Sequence, residues 1–202
     1  MIKKFLHVGC GHNKKEHTTK VFNTDAWEEV RLDINPTVNP DIISSIQDMS
    51  SILDSSYDAI FSSHNIEHIF AHEVIDTFKE FRRVLKDGGY LILTCPDIKS
   101  VCSVIASGKV NNKLYDSPAG PIYPLDILYG FRQSIASGNE FMVHKYGYTA
   151  ETMHLIMNEA GFNSFCVAEA EGTYSLWLIA YNNVTISSNK LEENLKKHIL
   201  FE

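Results

Sequence analysis

Five short apolar runs, each stopped by a turn residue, constrain the fold of this chain more than any other feature. They are Phe5-Leu6-His7-Val8, Val30-Arg31-Leu32-Asp33-Ile34, the weaker Asp41-Ile42-Ile43, Tyr57-Asp58-Ala59-Ile60-Phe61-Ser62 and Tyr90-Leu91-Ile92-Leu93-Thr94. Such runs suit strands buried on both faces of a parallel sheet. Between the fourth and fifth, Ile69, Val74, Ile75, Phe78, Phe81, Val84 and Leu85 recur at helical spacing, and Asp87-Gly88-Gly89 turns the chain into the next strand. A strand, crossover helix and strand of this length form a right-handed βαβ unit. A second helix is expected from Ala150 to Ala160, with Gly161 as its stop. Two alternating runs, 165–170 and 174–181, follow, and the link Glu171-Gly172-Thr173 reads as a hairpin.

The 202 residues fit one domain, assigned to 1–183, with an amphipathic tail at 184–202. In the tail Leu191, Leu195 and Ile199 form a stripe over Lys190–Leu200, suited either to its own domain or to a second copy in a homodimer. Residues 108–148 interrupt the rhythm with three prolines, five glycines and seven aromatics. Such a segment is an ordered insertion, either an acceptor lid or a loop with its own satellite core. Hydrophobic content of 44% and charged content of 21% are those of an ordinary globular protein. No apolar run spans a bilayer, and the N-terminus lacks the h-region of a secretory signal, so a cytoplasmic location is expected. A net charge of −7 argues against a nucleic-acid partner. The cysteines, Cys10, Cys95, Cys102 and Cys166, show no zinc-ribbon spacing, and Cys10 and Cys95 read as buried reduced thiols.

The chemistry starts at the first strand's end. Gly9-Cys10-Gly11 permits a sharp turn and close approach to a ligand lying across the carboxyl ends of the strands. Asp33, with Ile34 after it, ends the second strand, where a carboxylate accepts both hydroxyls of a ribose or simply serves a turn. Asp48 is placed to accept from an adenine amino group, or to cap residues 49–53, and Met49 to pack on the ring. The dinucleotide fingerprint fails, because Lys14 stands where its third glycine belongs and no further glycine follows before Gly88. A nucleoside without a pyrophosphate fits better than a nicotinamide dinucleotide.

Leu6-His7-Val8-Gly9-Cys10-Gly11, Tyr57 through His68, and Phe81 through Leu91 resemble three motifs of class I S-adenosylmethionine-dependent methyltransferases, in their type 11 branch. The resemblance covers residues 5–97 well and 150–181 loosely. It implies a Rossmann-like α/β sheet of seven strands, mostly parallel, in order 3-2-1-4-5-7-6 with an antiparallel terminal hairpin and helices on both faces. It implies S-adenosylmethionine as cofactor, held by His7, Gly9, Cys10 and Gly11 at its methionine end, Asp33 and Ile34 at the ribose, Asp48 and Met49 at adenine, and Ser63 and His64 beside the methyl. Two positions depart from the family: His7 stands for an acid and Asn13 for a third glycine. The segment from Ser117 to Thr149 resembles a bacterial predicted-methyltransferase subgroup, some of whose members are linked to cell-surface glycan synthesis. A small-molecule or glycan-type acceptor and O-methylation are therefore expected.

Deprotonating a hydroxyl acceptor suits an imidazole, whose ordinary pKa lies near neutrality. His64 is the first candidate and His144 the second; His68 reads as a structural polar residue near a helix start. His64, His68 and His72 are spaced to share one helix face, but the His-Glu-x-x-His pattern is absent, and no metal is assigned. Magnesium acting through Asp97 or Glu67 is left open. The rival reading is a degenerate cofactor-binding module or partner subunit; His7 favours it, and the aromatic insertion disfavours it.

Overall fold

The computed structural model describes residues 2–170 and 172–199; Glu171, the first residue of the expected hairpin link, and Leu200, the end of the expected tail helix, lie outside the described residues. The strands are β1 Lys3–Val8, β2 Trp27–Asp33, β3 Ile42–Ile43, β4 Tyr57–Ser63, β5 Leu85–Pro96, a small hairpin β6 Tyr115–Ser117 and β7 Gly120–Ile122, then β8 Ser164–Ala170 and β9 Ser175–Tyr181. The helices are α1 Val74–Val84, α2 Ile98–Ala106, α3 Pro124–Tyr129, α4 Arg132–Ala136, α5 Ala150–Glu159 and α6 Ser188–His198. Seven strands form the main sheet in the order β3-β2-β1-β4-β5-β9-β8, and the hairpin stands apart. The first five pair in parallel, and β9 joins β5 and β8 antiparallel. This is the expected order, with the inserted hairpin set aside.

Alternation along the central strands explains why both faces must be covered. Leu6 and Val8 of β1 enter one core with Ile60 of β4 and Leu91 and Leu93 of β5. Phe5 enters the other with Ala59, Phe61 and Ile92. On the first face α1 and α5 supply Phe78, Phe81, Met153 and Met157, all fully buried.

The second face is covered differently from the expected helical layer. The chain after β1 makes only a 3-10 turn, Lys15–His17, and then a turn-rich segment that lays Phe22 into the core. Residues 12–21, His-Asn-Lys-Lys-Glu-His-Thr-Thr-Lys-Val, carry no apolar stripe, so a helix there would have nothing to bury. The C-terminal helix α6 fills the space instead. Its Leu191 and Leu195 are buried in the same core as Phe22 and Trp27, contributing roughly 1.5–3 kcal/mol each by removal from water. The stripe read from the sequence is thus spent on the chain's own sheet.

Helix α6 is locked by a buried histidine. His198 shares a 2.9 Å hydrogen bond with the Thr19 hydroxyl and packs its ring 5.1 Å from Phe22 and 5.6 Å from Tyr90. Burial, helped by Lys197, pushes its pKa from 6.5 down to about 4. Between those values the unfolded chain binds a proton that the folded chain refuses, so stability falls as pH drops through this window and is insensitive to the group above it. Urea unfolding between pH 7 and pH 4 is expected to lose about 3 kcal/mol through this residue. His198→Phe should remove that part of the acid sensitivity; an unchanged pH profile would show that the ring is not excluded from solvent.

Candidate active site

The site lies along the carboxyl edge of the parallel strands. At the end of β1 the backbone turns through Gly9 and Gly11, at φ +60° and +53°. A Cβ at Gly9 would overlap the Asn65 amide, so that position has no room for a side chain. Asp33, at the end of β2, accepts the Gly11 N–H at 2.7 Å through Oδ2 and the Asn35 N–H at 2.8 Å through Oδ1. Each carboxylate oxygen keeps a further lone pair for a ligand hydroxyl.

Arg31 fixes this turn where a helix would otherwise follow. Its guanidinium donates to the carbonyls of Gly11 at 2.6 Å, Asn13 at 3.0 Å, Asn39 at 2.8 Å and Val38 at 3.2 Å. One cation thereby satisfies four backbone acceptors from two loops, which suits the planar fork of arginine and not the point charge of lysine. His7 faces away from this edge: its Nδ1 lies 2.7 Å from Glu29 Oε1, and the other Glu29 oxygen accepts the Lys15 N–H at 2.9 Å.

Two cavities open along the edge. The larger, about 570 Å³, is lined on the sheet side by Gly9, Gly11, Asp33, Ile34, Ile46, Gln47, His64 and Asn65. Residues 139–142 and Lys145 of the insertion close it from above. Its size lies within the roughly 300–1,000 Å³ of small-molecule sites. The Asn65 amide nitrogen is buried there without a hydrogen-bond partner among the described residues, a donor waiting for a ligand acceptor. The smaller cavity, about 130 Å³, has Tyr115, Ile127, Phe131, Met142 and Tyr174 as its apolar and aromatic walls. His64, His68 and Met142 line both cavities and form the boundary between them. His64 is held there by a left-handed backbone, φ +48°, and by its N–H bond to Thr94 O at 2.9 Å. A non-glycine residue in that region at a cavity junction is a mark of functional constraint.

Behind the boundary sits Glu67, 1% exposed, with neither carboxylate oxygen hydrogen-bonded among the described residues. His64 Nδ1 approaches its Oε1 at 3.5 Å and His144 Nε2 at 4.0 Å. Burial opposes ionisation of Glu67, but the imidazoles of His64, His68 and His144 outweigh it and hold the carboxyl below the ordinary range. Burial also lowers the pKa of His144 below the usual histidine value, against the partial opposition of Glu67 and the Ile127 carbonyl.

The structure brings Gly9, Gly11, Asp33, Ile34 and His64 together around the larger cavity, and His64 and His144 around the smaller. His7, Cys10, Asp48, Met49 and Ser63 do not line either. Cys10 is buried beneath the turn, and desolvation pushes its thiol up to about 11. Met49 is fully buried in the core, and Asp48, exposed, accepts the Ser50 N–H. Ile46 and Gln47 take the cavity positions instead. His64, His68 and His72 do not share a helix face. After β4 the chain bends at His64 and makes a 3-10 turn over Ile66–His68, and His72 stacks on Phe70. Asp97 caps α2, accepting the Lys99 and Ser100 N–H groups. Sequence reasoning missed Arg31, Asn65 and the meeting of Glu67 with His144; an arginine two residues before the strand-end acid was the available signal for the first.

Residues 6–93, a little under half of the chain, match the family model described as Methyltransferase domain. No curated protein is significantly similar to the chain in sequence. Among solved structures, a SAM-dependent methyltransferase from Archaeoglobus fulgidus superposes with a TM-score of 0.58 at 15% identity, over 89% of this chain and 86% of that one. The 1,6-didemethyltoxoflavin-N1-methyltransferase of Burkholderia thailandensis, solved with its substrate and S-adenosylhomocysteine, gives 0.57 at 10% identity over 90% and 72%. A possible exported protein of Bordetella parapertussis gives 0.57 at 15% identity over 91% of this chain and only 62% of its own length. The chain shares the fold of these structures, and its first half is similar to the methyltransferase domain family. The larger cavity, with its glycine turn, strand-end Asp33 and orphaned Asn65 amide, has the size and donor set to take S-adenosylmethionine, the cofactor that this fold implies.

Removing the Arg31 fork tests the local architecture. Arg31→Ala should lower unfolding free energy by about 2 kcal/mol, the order expected for charge-assisted bonds at a half-exposed site. It should also speed hydrogen exchange at the amides of Gly11 and Asn13. Full stability and unchanged exchange would show that the turn holds itself.

Proposed function

We propose that this chain is an S-adenosylmethionine-dependent methyltransferase that methylates a hydroxyl oxygen of a small acceptor, a sugar or glycan intermediate being the class that the resemblance of its middle segment implies. The single observation that carries the reading is the shared boundary: His64 faces the larger cavity on one side and the smaller on the other. The cofactor, when bound, supplies an electrophilic methyl on a sulfonium.

In this reading the larger cavity holds the donor. Asp33 accepts from the ribose hydroxyls, with Ile34 and Ile46 against the nucleoside and Gln47 at the adenine edge. Gly9 and Gly11 leave space for the methionine end, and Asn65 donates to it. The smaller cavity holds the acceptor between Tyr115, Phe131 and Tyr174. Residues 108–148 act as its lid and exclude water, which matters because an in-line displacement depends on alignment and a dry site. His64 accepts the acceptor's proton as the oxygen attacks. His144, whose Nε2 points at Glu67, orients the site from behind and does not take that proton.

Two measurements test this. Calorimetry with S-adenosylhomocysteine should show Asp33→Ala binding at least about thirtyfold more weakly, the loss of two charge-assisted hydrogen bonds; unchanged affinity would refute the ribose assignment. A turnover assay on hydroxylated acceptors should show His64→Ala reducing kcat about a hundredfold or more with little change in cofactor affinity. Equal kcat in the variant, or turnover confined to amine acceptors, would overturn the proton-acceptor role.

A further inference from the structure

Glu67, His68 and His144 form a cluster beside the proposed site of methyl transfer, and none of them is its proton acceptor. A carboxylate oxygen of Glu67 and one nitrogen from each imidazole lie within 4.8 Å of one another. The rings stand 4.9 Å apart, nearly edge to face.

Their hydrogen bonds fix what each presents to the centre. His68 Nδ1 lies 3.0 Å from Val143 O, and His144 Nδ1 lies 2.7 Å from Ile127 O. A carbonyl only accepts, so in both rings Nδ1 carries the proton. The free nitrogen of each neutral ring is then Nε2, an acceptor, and the His144 Nε2 faces Glu67 Oε1 at 4.0 Å. Two lone pairs thus converge with a buried carboxylate whose oxygens have no donor among the described residues. A buried carboxylate without a hydrogen bond, beside two imidazole acceptors, is a donor set that a cation would satisfy. Imidazoles that donate their other N–H to a carbonyl are oriented as metal ligands commonly are.

We propose that Glu67, His68 and His144 bind one divalent first-row transition ion, of the zinc, cobalt or manganese class, at the wall between the two cavities. Two imidazoles and one carboxylate select such ions over magnesium, which prefers oxygen alone. Tetrahedral ligands with bonds of this type sit about 3.3 Å apart, so small side-chain rotations close the cluster around an ion. Three protein ligands leave a coordination position open, the arrangement of reactive and not of structural sites. All three residues line the smaller cavity. The open position therefore faces the acceptor, whose oxygen would occupy it. That last step rests on the proposed acceptor cavity; the ion site itself does not.

Its test needs neither cofactor nor acceptor. The full-length protein is equilibrated separately with zinc, cobalt(II) and manganese(II), desalted and analysed by plasma mass spectrometry. One retained equivalent of at least one ion is expected. Glu67→Ala, His68→Ala and His144→Ala should each weaken retention at least about a hundredfold, whereas His17→Ala should not. The visible spectrum of the cobalt-loaded wild type covers the case in which the variants misfold: it should show nitrogen and oxygen donors without an intense thiolate charge-transfer band. Failure of the wild type to retain any of the three ions would overturn the site. So would a thiolate band, which would put the ion on a cysteine. Loss of ion binding with normal S-adenosylhomocysteine affinity would refute the ion site alone, and the reverse result would refute the donor cavity alone.

Discussion

The active edge depends on the stitching of residues 143–148 to the turn after β4. The Lys145 and Tyr146 N–H groups both donate to Glu67 O, at 2.7 and 3.2 Å. The Tyr148 hydroxyl donates to Ile66 O at 2.9 Å, and the Tyr148 carbonyl accepts the Ile98 N–H at 3.0 Å. Tyr148 is fully buried, so these bonds are made away from competing water. The same seam seals Glu67 from solvent, sets His144 opposite it, and places Met142 between the two cavities. Gly130 shows how tight this closure is: it sits at φ +99°, and a Cβ there would overlap the Met142 carbonyl. The insertion is therefore a structural part of the site: Tyr115, Phe131 and Phe141 line the cavities, and Tyr146 and Tyr148 belong to the seam.

The opposite face of the sheet follows a compensating logic. The polar stretch after the glycine turn forms no helix, which leaves Phe5, Phe61 and Ile92 needing cover. Phe22 and α6 provide it, and Arg31 supplies the backbone partners that a helix would have supplied at the turn. The mostly parallel frame thus stays intact although its first crossover is nearly helix-free. The glycine turn is anchored by a side-chain fork in place of helix packing.

Legibility in the sequence follows the range of the interactions. Strands β4 and β5 are legible because their centres are buried on both faces, which writes itself as a nearly continuous apolar run, whereas the half-buried β2 alternates. The terminal hairpin and α5 were readable from alternation and from Gly161. Asp33 and His64 stand out in the sequence because Asp33 ends β2 and His64 follows directly on β4, at the carboxyl edge of the sheet. Met49 was misplaced because β3 is only two residues long: the chain turns after it, so Ile46 and Gln47 meet the cavity and Met49 turns into the core. Helix α2 is hard to read from the sequence because its cap, Asp97, carries a carboxylate that reads equally well as a metal ligand. Glu67 and His144 lie in segments whose meeting is decided by the insertion's fold, and no local periodicity records that. The same reason hides the orientation of His68, whose partner is the backbone of Val143.

The central claim is that donor and acceptor occupy separate cavities that meet at His64, His68 and Met142. A crystal structure of the protein with S-adenosylhomocysteine tests it most directly. The account predicts the ribose hydroxyls on Asp33, adenine by Ile46 and Gln47, and the sulfur turned to the His64 boundary. A molecule seated in the smaller cavity, or lying with its sulfur end toward Gln47, would contradict it.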